Sequence, residues 1–449
     1  MRESVTAIIK CGAEVLLVKR SPALRDFPGY YSFPGGKVDD CDKNSDALTA
    51  QFEDITKNFP LKQQHLNACL REIEEELGVT LDVGHCQIYY LGYSSTPSFQ
   101  PVRFKNYYLL LELDKKPGPI KLSSEIEAFE WIAPEAFTQA FARGDYLMVP
   151  PSVRLMQELC GQSKSYPQAV CFDLVWDDNL EVPCIEAVAG ILQYMPLSNT
   201  FPPANRTTAF FLGDDGHEIL VDPSPKDKSE YSKLKYSLRQ RKIAKMLITH
   251  HHPDHHENAI ALALDWKIPV LMSQITLDFL NAKYGIEYVA GVKIQIISQG
   301  EILTYSKGHK VIVYHVPGHD EGQLAFARED GAWFVAGDLI QTVGTVVIGG
   351  AEGDMAKYFE SLERVIALNP RVVFPSHGIA MGGVNQLQKT LEHRKLREQQ
   401  VLKLAVGGCD QEEIFSTIYP DLAPSLKKYA LKTIECHMKK LKQEGLIKG

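Results

Sequence analysis

Thr249-His-His-His-Pro-Asp-His-His256 concentrates metal-ligating side chains in eight consecutive positions. His250, His252, Asp254 and His255 have the spacing of one metal site. The apolar run 246–249 predicts a strand, so the alternate residues His250 and His252 point to one side of the loop that follows it. Asp254 and His255 come next, on a turn. Imidazole nitrogen and carboxylate oxygen are the ligands that suit a Zn²⁺-like ion. A surface His run is the bland alternative, but this run is internal, follows a strand and carries an Asp. A second cluster lies in Ala68-Cys-Leu-Arg-Glu-Ile-Glu-Glu-Glu-Leu-Gly-Val79, which predicts a helix capped by Gly78. Glu72, Glu75 and Glu76 are spaced i, i+3 and i+4 and share one face. Like charges stacked that way repel. Either solvent and Lys partners screen them, or a hard divalent cation such as Mg²⁺ holds them.

His-x-His-x-Asp-His resembles the signature of the metallo-β-lactamase superfamily. The resemblance implies further ligands after later strands. Pro-Gly-His319, Gly-Asp338 and Pro-Ser-His377 stand at those places. By resemblance, His250, His252 and His319 hold one zinc ion, and Asp254, His255 and His377 hold another. Asp338 lies between them, and Asp254 also orients the water. Zinc-bound hydroxide is then the nucleophile, because two shared ions acidify water to near neutral pKa. Asp222 sits where the family has a supporting Asp that holds a ligand His in place. His251, His256 and His315 are read as structural or substrate-lining.

Upstream, the helix from Arg71 to Val79 resembles the second half of the Nudix box, Arg-Glu-U-x-Glu-Glu-x-Gly-U. Gly36 closes an aromatic-Pro-Gly-Gly loop that resembles its start, and a bare backbone there lets a ligand approach closely. Gly36 to Arg71 spans 35 positions against 14 in the pattern, an excess of 21. The outer Glu of the pattern falls on Gln63 when counted back from Arg71. Asp39, Asp40 and Asp42 are the alternatives for its role. The resemblance implies Mg²⁺ or Mn²⁺ on Glu72, Glu75 and Glu76, with Glu125 as a further ligand or base and Glu127 as its alternative. Arg20, Arg25 and Arg103 are candidates for binding substrate phosphates. The insertion and loops look most like Nudix enzymes that cleave coenzyme A and its acyl derivatives.

The elements around these clusters set the organisation. A chain of 449 residues with 45% apolar and 23% charged residues fits a soluble protein of two to four domains. The net charge of −8 argues against wholesale coating of nucleic acid. Nine scattered Cys, an odd count with no Cys-x-x-Cys pair, read as reduced thiols of a cytoplasmic protein. No membrane partner is expected, because no apolar run reaches 18 residues. A polar stretch at 162–168 reads as a linker. Strands begin near Ile185 and at Thr208-Ala-Phe-Phe-Leu212, and alternate with helices to about Met381. Three helices follow, at 386–404, 411–419 and 424–444. From Gln386 on there are 12 Lys/Arg and 8 Asp/Glu, so this tail carries +4 and the remainder −12. The tail resembles the winged helix attached to one metallo-β-lactamase branch that includes endoribonucleases. Lys427, Lys428, Lys432, Lys439 and Lys440 would meet RNA phosphates, or else form the solvated face of a docking helix pair.

The expected fold class is therefore α/β and α+β multidomain. It comprises a Nudix α/β/α sandwich at 1–165, a metallo-β-lactamase αββα sandwich at 166–383 and a small winged helix at 384–449. The expected activity is that of a bifunctional metal-dependent hydrolase. One head cleaves a nucleoside diphosphate-linked, coenzyme A-like substrate. The dinuclear zinc head cleaves a phosphodiester or thioester. The rivals are a nucleotide-sensing, nucleic-acid-binding regulator, and a single zinc hydrolase or ribonuclease with a non-catalytic Nudix recognition module.

Overall fold

The computed structural model describes residues 1–44, 50–100, 102–161, 166 and 169–448. The linker read at 162–168 lies outside the described residues except for Tyr166. Two compact units divide the chain: 1–175 with 186–189, and 176–185 with 190–449.

The first unit is built on an eight-stranded sheet. Strands β1 (Arg2–Cys11), β2 (Glu14–Arg20), β3 (Tyr31–Ser32) and β4 (Gly35–Lys37) precede the helices α1 (Ala50–Asn58) and α2 (Gln63–Leu77). Strands β5 (Cys86–Ser95), β6 (Phe104–Leu113) and β7 (Ile126–Ile132) follow. Helices α3 (Pro134–Arg143) and α4 (Pro150–Glu158) and strand β8 (Val170–Cys171) complete it. Strand β1 runs parallel to β6 from Arg2↔Phe104 to Cys11↔Leu113. Alternation along β1 supplies both faces of the sheet, as a period of two requires. Val5, Ala7 and Ile9 pack with Leu66, Cys69, Ile73 and Leu77 of α2. Ile8 joins Val15 and Leu17 against Phe137 of α3 and Val153 and Leu155 of α4. The result is an α/β/α sandwich. Helix α1 belongs to the long insertion and anchors it through fully buried Phe52. Tyr166 is buried in the same unit, its hydroxyl on Glu112 at 2.8 Å.

Strand β9 (Cys184–Val188) leads towards the second unit, whose first sheet is ordered β15-β14-β13-β12-β11-β10. These strands are β10 (Ile191–Tyr194), β11 (Ala209–Leu212), β12 (Ile219–Val221), β13 (Lys245–Leu247), β14 (Val270–Met272) and β15 (Ile294–Ile296). Helices α5 (Lys228–Ser237), α6 (Pro253–His256), α7 (Ala259–Trp266) and α8 (Gln274–Tyr284) intervene. A second sheet runs in order β16 (Ile302–Ser306), β17 (His309–His315), β18 (Leu324–Arg328), β19 (Phe334–Gly337), β20 (Val372–Pro375) and β21 (Met381–Gly382). Helix α9 (Met355–Leu368) joins β19 to β20, which pair in parallel. Leu234, Leu262 and Leu280 cover the outer face of the first sheet, and Tyr358, Leu362 and Leu387 that of the second. The inner faces meet through the Phe210–Phe374 edge contact at 6.0 Å and the Leu324 N–H to Thr249 carbonyl bond of 2.9 Å. This is an αββα sandwich.

The tail is helical: α10 (Asn385–Val406), α11 (Gln411–Ile418) and α12 (Lys427–Gln443). Helix α10 spans two cores. Leu387 and Leu391 pack into the αββα unit, whereas Val401 joins Ile414, Phe415, Ile434 and Leu441 in a small core of its own. No helix among the described residues is long and apolar enough to cross a membrane, and all nine Cys are free thiols.

One buried group makes the first unit sensitive to acid. His65 accepts the Lys62 backbone N–H at Nδ1, 2.8 Å away, inside the core. Burial lowers its pKa, against the opposing pull of Glu3. The folded chain therefore binds fewer protons than the unfolded chain once the pH falls below about 6.5, the ordinary His value. Stability drops there. Thermal unfolding at pH 7.5 and 5.5 should show a loss at the lower pH that His65→Gln reduces.

Candidate metal centre and carboxylate site

Each side chain of the centre is delivered by the end of a strand. Asp222 follows β12, and His250 to His255 follow β13. His319 follows β17, Asp338 follows β19 and His377 follows β20. Because β12 pairs in parallel with β13, and β19 with β20, these ends emerge on the same side. Loops at one edge of a rigid scaffold suit a binding site. Asp254 and His255 sit on the single-turn helix α6, with His252 at its N-cap.

The side chains converge. His250, His252 and His319 form one group whose donor atoms all lie within 4.8 Å of one another. Asp254, His255 and His377 form a second, and His250, His255 and Asp338 a third. His252 Nδ1 lies 3.1 Å from His250 Nε2 and 2.9 Å from His319 Nε2. Asp338 Oδ2 lies 3.6 Å from His319 Nε2 and 3.4 Å from His377 Nε2. Asp338 thus stands between the two triads.

The other nitrogen of each ring is anchored. Asp222, at φ 48°, is the most heavily used acceptor. It takes the Thr249 backbone N–H at 2.8 Å, the Thr249 hydroxyl at 2.7 Å and His255 Nδ1–H at 2.8 Å. Thr249 Oγ1 in turn accepts His250 Nδ1–H at 3.0 Å. His319 Nδ1–H donates to the Val347 carbonyl at 2.8 Å, and His377 Nδ1–H to the Arg206 carbonyl at 3.0 Å. Those four rings present Nε2 to the centre. His252 is reversed: Nδ1 faces the centre and Nε2 lies 3.5 Å from Glu352 Oε1. Such partners fix tautomer and ring orientation.

The electrostatics match a cation site. Burial and the neighbouring rings of His255 and His252 hold His250 well below the ordinary imidazole value. Burial and His252 push His319 down to about 4. Both rings are therefore neutral, as ligands must be. Burial opposes ionisation of Asp338, yet His377 and His255 hold it well below the usual carboxylate range. His255 Nε2 and Asp338 Oδ1 are buried 3.4 Å apart, and neither makes a hydrogen bond of good geometry among the described residues. Buried polar atoms without a well-formed hydrogen bond are costly, and divalent metal ions would satisfy them, so the donor set fits.

The sequence reading assigns no role to Glu352, Thr249 or the carbonyls of Arg206 and Val347. Backbone acceptors carry no side-chain signal. Of the three His read as non-ligands, His256 accepts or shares a proton with Tyr288 Oη at 2.6 Å, and His315 Nε2 bonds the Glu321 carbonyl at 2.7 Å. His251 pairs with buried Asp320, and these two group with His252.

In the first unit, α2 carries the glutamates against the loop of β4. Arg71 organises them. Its Nη1 donates to Glu72 at 2.9 Å and to Glu75 at 3.1 Å. Its Nε and Nη2 grip Asp42 at 2.9 and 3.1 Å. Asp42, six residues after Gly36, is thus the carboxylate that takes the outer position. Gln63 instead bonds Asn67 at 2.8 Å. The extra residues therefore lie between Asp42 and Arg71. Gly35 N–H donates to Glu76 at 3.2 Å, and a Cβ on Gly36 would sit 2.2 Å from Glu72 Oε1. Burial pushes Glu76 up to about 8 against the Gly35 hydrogen bond, with the Glu72 charge adding to it. Burial also raises Glu72, opposed by Arg71. The Glu125 charge reaches both, whereas Glu127 is paired with Lys19 at 2.9 Å. Carboxyls held up in this way are relieved by a divalent cation. Arg25 and Arg103 are exposed, and Arg103 donates to the Thr96 carbonyl at 3.2 Å. Arg20 is the arginine whose charge acts on Glu76.

The NUDIX domain profile matches residues 1–150, the metallo-beta-lactamase superfamily profile 202–377, and the beta-lactamase associated winged helix profile 411–449. The Drosophila melanogaster "Beta-lactamase-like protein 2 homolog" is 26% identical over 258 residues, covering 54% of this chain and 84% of the relative. The Aspergillus fumigatus "Atrochrysone carboxyl ACP thioesterase" is 26% identical over 211 residues, covering 46% and 62%. A crystal structure of a beta-lactamase domain protein from Burkholderia ambifaria superposes with a TM-score of 0.52 at 19% identity, covering 60% of this chain and 90% of that one.

Asp222→Ala leaves three buried donors without an acceptor, at about 1–3 kcal/mol each. Metal affinity should fall about 10–100-fold, as read by competition with a chelator. Gly318, at φ +129°, would place a Cβ 2.4 Å from the Tyr358 backbone. Gly318→Ala should lower both the melting temperature and metal content, because His319 is the next residue.

Proposed function

Given a hydrolase that carries a NUDIX domain, a metallo-β-lactamase domain and a β-lactamase-associated winged helix in that order, we propose that it has two metal-dependent active sites. The observation that carries this reading is the convergence of five imidazoles and two carboxylates, with each ring's outer nitrogen set against an oxygen atom. His250, His252 and His319 would hold one zinc ion, Asp254, His255 and His377 the other, and Asp338 would lie between them. Two such ions supply Lewis acidity and acidify water to near neutral pKa. The chain's own contribution is orientation. Asp222, Thr249 and the two carbonyls stop the rings from turning, and burial keeps bulk water from the donor atoms.

In the first unit, Glu72, Glu75, Glu76 and Glu125 would hold Mg²⁺ or Mn²⁺ against a diphosphate. Arg71 sets the positions of Glu72 and Glu75, and the Gly35-Gly36 backbone leaves space for the ligand. Positioning and charge neutralisation are the work such a site does. A coenzyme A-type substrate is the leading candidate there, from the likeness of its loops.

For the second site an acyl thioester is the first reading. It is supported by the thioesterase among the relatives and by the coenzyme A-like first site. A phosphodiester is the second, favoured by α12. The Phe201 and Tyr429 rings meet at a 60° tilt with centroids 4.8 Å apart, Lys428 lies over Tyr429 at 4.8 Å, and Lys432 packs beside Gly349. Lys427 and Lys440 are instead neutralised by Glu412 and Glu398, which narrows the basic face. A cytoplasmic, RNA-contacting protein would fit that second reading.

His252→Ala should abolish cleavage of the thioester or RNA and spare Mg²⁺-dependent diphosphate cleavage. Glu75→Gln should do the reverse. Assays on acyl-coenzyme A, coenzyme A, ADP-ribose and short RNA separate the two, and loss of both activities from either change would refute two independent sites.

A further inference from the structure

The three imidazoles of the first triad are not backed alike. His250 is anchored by Thr249, its neighbour in the chain. His319 and His252 both lean on one short segment, 347–354. The Val347 carbonyl accepts His319 Nδ1–H at 2.8 Å, and the Gly318 carbonyl, just before His319, accepts the Asp354 N–H at 2.9 Å. Glu352 Oε1 lies 3.5 Å from His252 Nε2. None of these contacts serves the second triad, whose rings rest on Asp222 and the Arg206 carbonyl. His252 depends most on its backing. Its side chain is 23% exposed, against 0% for His255 and 2% for His377, so packing restrains it least.

The segment reads Val347-Ile-Gly-Gly-Ala-Glu-Gly-Asp354, and its glycines let it fold back on itself. Gly350, at φ +87°, would put a Cβ 2.9 Å from Glu352 Oε2, and a Cβ on Gly353 would lie 2.4 Å from the Gly349 backbone nitrogen. Ordering glycine is entropically costly, so the bend gains from contacts outside it. Helix α12 provides two. A Cβ on Gly349 would lie 2.6 Å from Lys432 Cβ, so the bare backbone is seated directly on the helix. One turn further, the Cys436 thiol donates to the Gly353 carbonyl at 3.6 Å. Cys436 is itself buried in the core around Tyr358 and Leu362. Both ends of the bend therefore rest on α12, which belongs to the same compact unit as the metal centre.

We propose that α12 is a positioning element for one metal ion: through the 349–353 bend it fixes Glu352, and Glu352 fixes His252. The inference rests on the dinuclear reading above and deepens it. Glu352 is a positioning residue, since it touches a ligand ring and acts through it. The consequence is an asymmetric centre. The ion held by His250, His252 and His319 depends on the C-terminal tail. The ion held by Asp254, His255 and His377 does not. Loss of a ligand ring's outer partner costs about 10–100-fold in metal affinity.

The test is competition for zinc between the loaded full chain and a chromophoric chelator, together with the absorption spectrum after exchange to cobalt(II). Glu352→Ala should lose about 10–100-fold in affinity for one of the two ions, keep the other and change the cobalt spectrum. Glu352→Gln keeps an acceptor oxygen and should restore both the affinity and the spectrum. Gly349→Ala, which presses the bend away from Lys432, should weaken the same single ion. Lys442→Ala, exposed in the last turn of α12, should bind both ions as the wild type does. Wild-type affinities in Glu352→Ala or Gly349→Ala, an equal loss of both ions, or no restoration by Gln overturns the proposal. A wild-type chain that holds fewer than two ions refutes the dinuclear reading, and this inference with it. Melting temperature, measured alongside, excludes a folding defect as the cause.

Discussion

Everything in the second unit answers to one electrostatic constraint: several imidazoles and two carboxylates are buried within a few ångströms of each other. A buried ring has two nitrogens, and both must be used. The inner nitrogen of each faces the other donor atoms. The outer one must find an oxygen from the protein, and the fold supplies a different one each time. Asp222 serves His255, Thr249 serves His250, and the carbonyls of Val347 and Arg206 serve His319 and His377. These oxygens come from segments far apart in sequence, so the loops must close around the centre together. The left-handed backbone of Asp222 is part of that closure, since it aims one carboxylate at three donors.

The first unit solves a related problem with the opposite sign. Its site is carboxylate-rich, and burial pushes its protons on rather than off. Arg71 makes the cluster tolerable by binding Glu72, Glu75 and Asp42 at once. The Asp42 side chain is nearly inaccessible, and its bidentate grip on Arg71 fixes where the long insertion leaves and rejoins the site. An insertion of that size is cheap when it extends a surface loop, and here buried Phe52 secures it.

Helix α10 carries the tail. Its 22 residues extend about 33 Å at 1.5 Å per residue, enough to serve two cores. Its first half closes the αββα unit, its second half nucleates the small helical core, and Arg394 lies between. The αββα unit and the tail are therefore mechanically continuous, and a charge buried on that helix faces the loop that carries Asp338.

The order of the domains, the three-glutamate helix face and the His-rich loop were legible in the sequence because each is local. A period of two or 3.6, a Gly at a helix end and a fixed ligand spacing are written in consecutive residues. The three tail helices were legible for the same reason, and differ from the structure by one to three residues at their ends. Other features were settled only by tertiary structure. Asp39, Asp40 and Asp42 are equivalent on paper, and only the approach of α2 to the β4 loop selects Asp42 as the partner of Arg71. The anchors of His319 and His377 are backbone carbonyls, which any residue type provides; Arg206 and His377 are separated by 171 positions. Glu352 reaches His252 the same way, on a loop brought there by packing. Side-chain chemistry is inherited from sequence, but the partner of a buried polar atom is chosen by the fold, because burial removes water as the alternative and leaves only whatever oxygen or cation the chain has carried there.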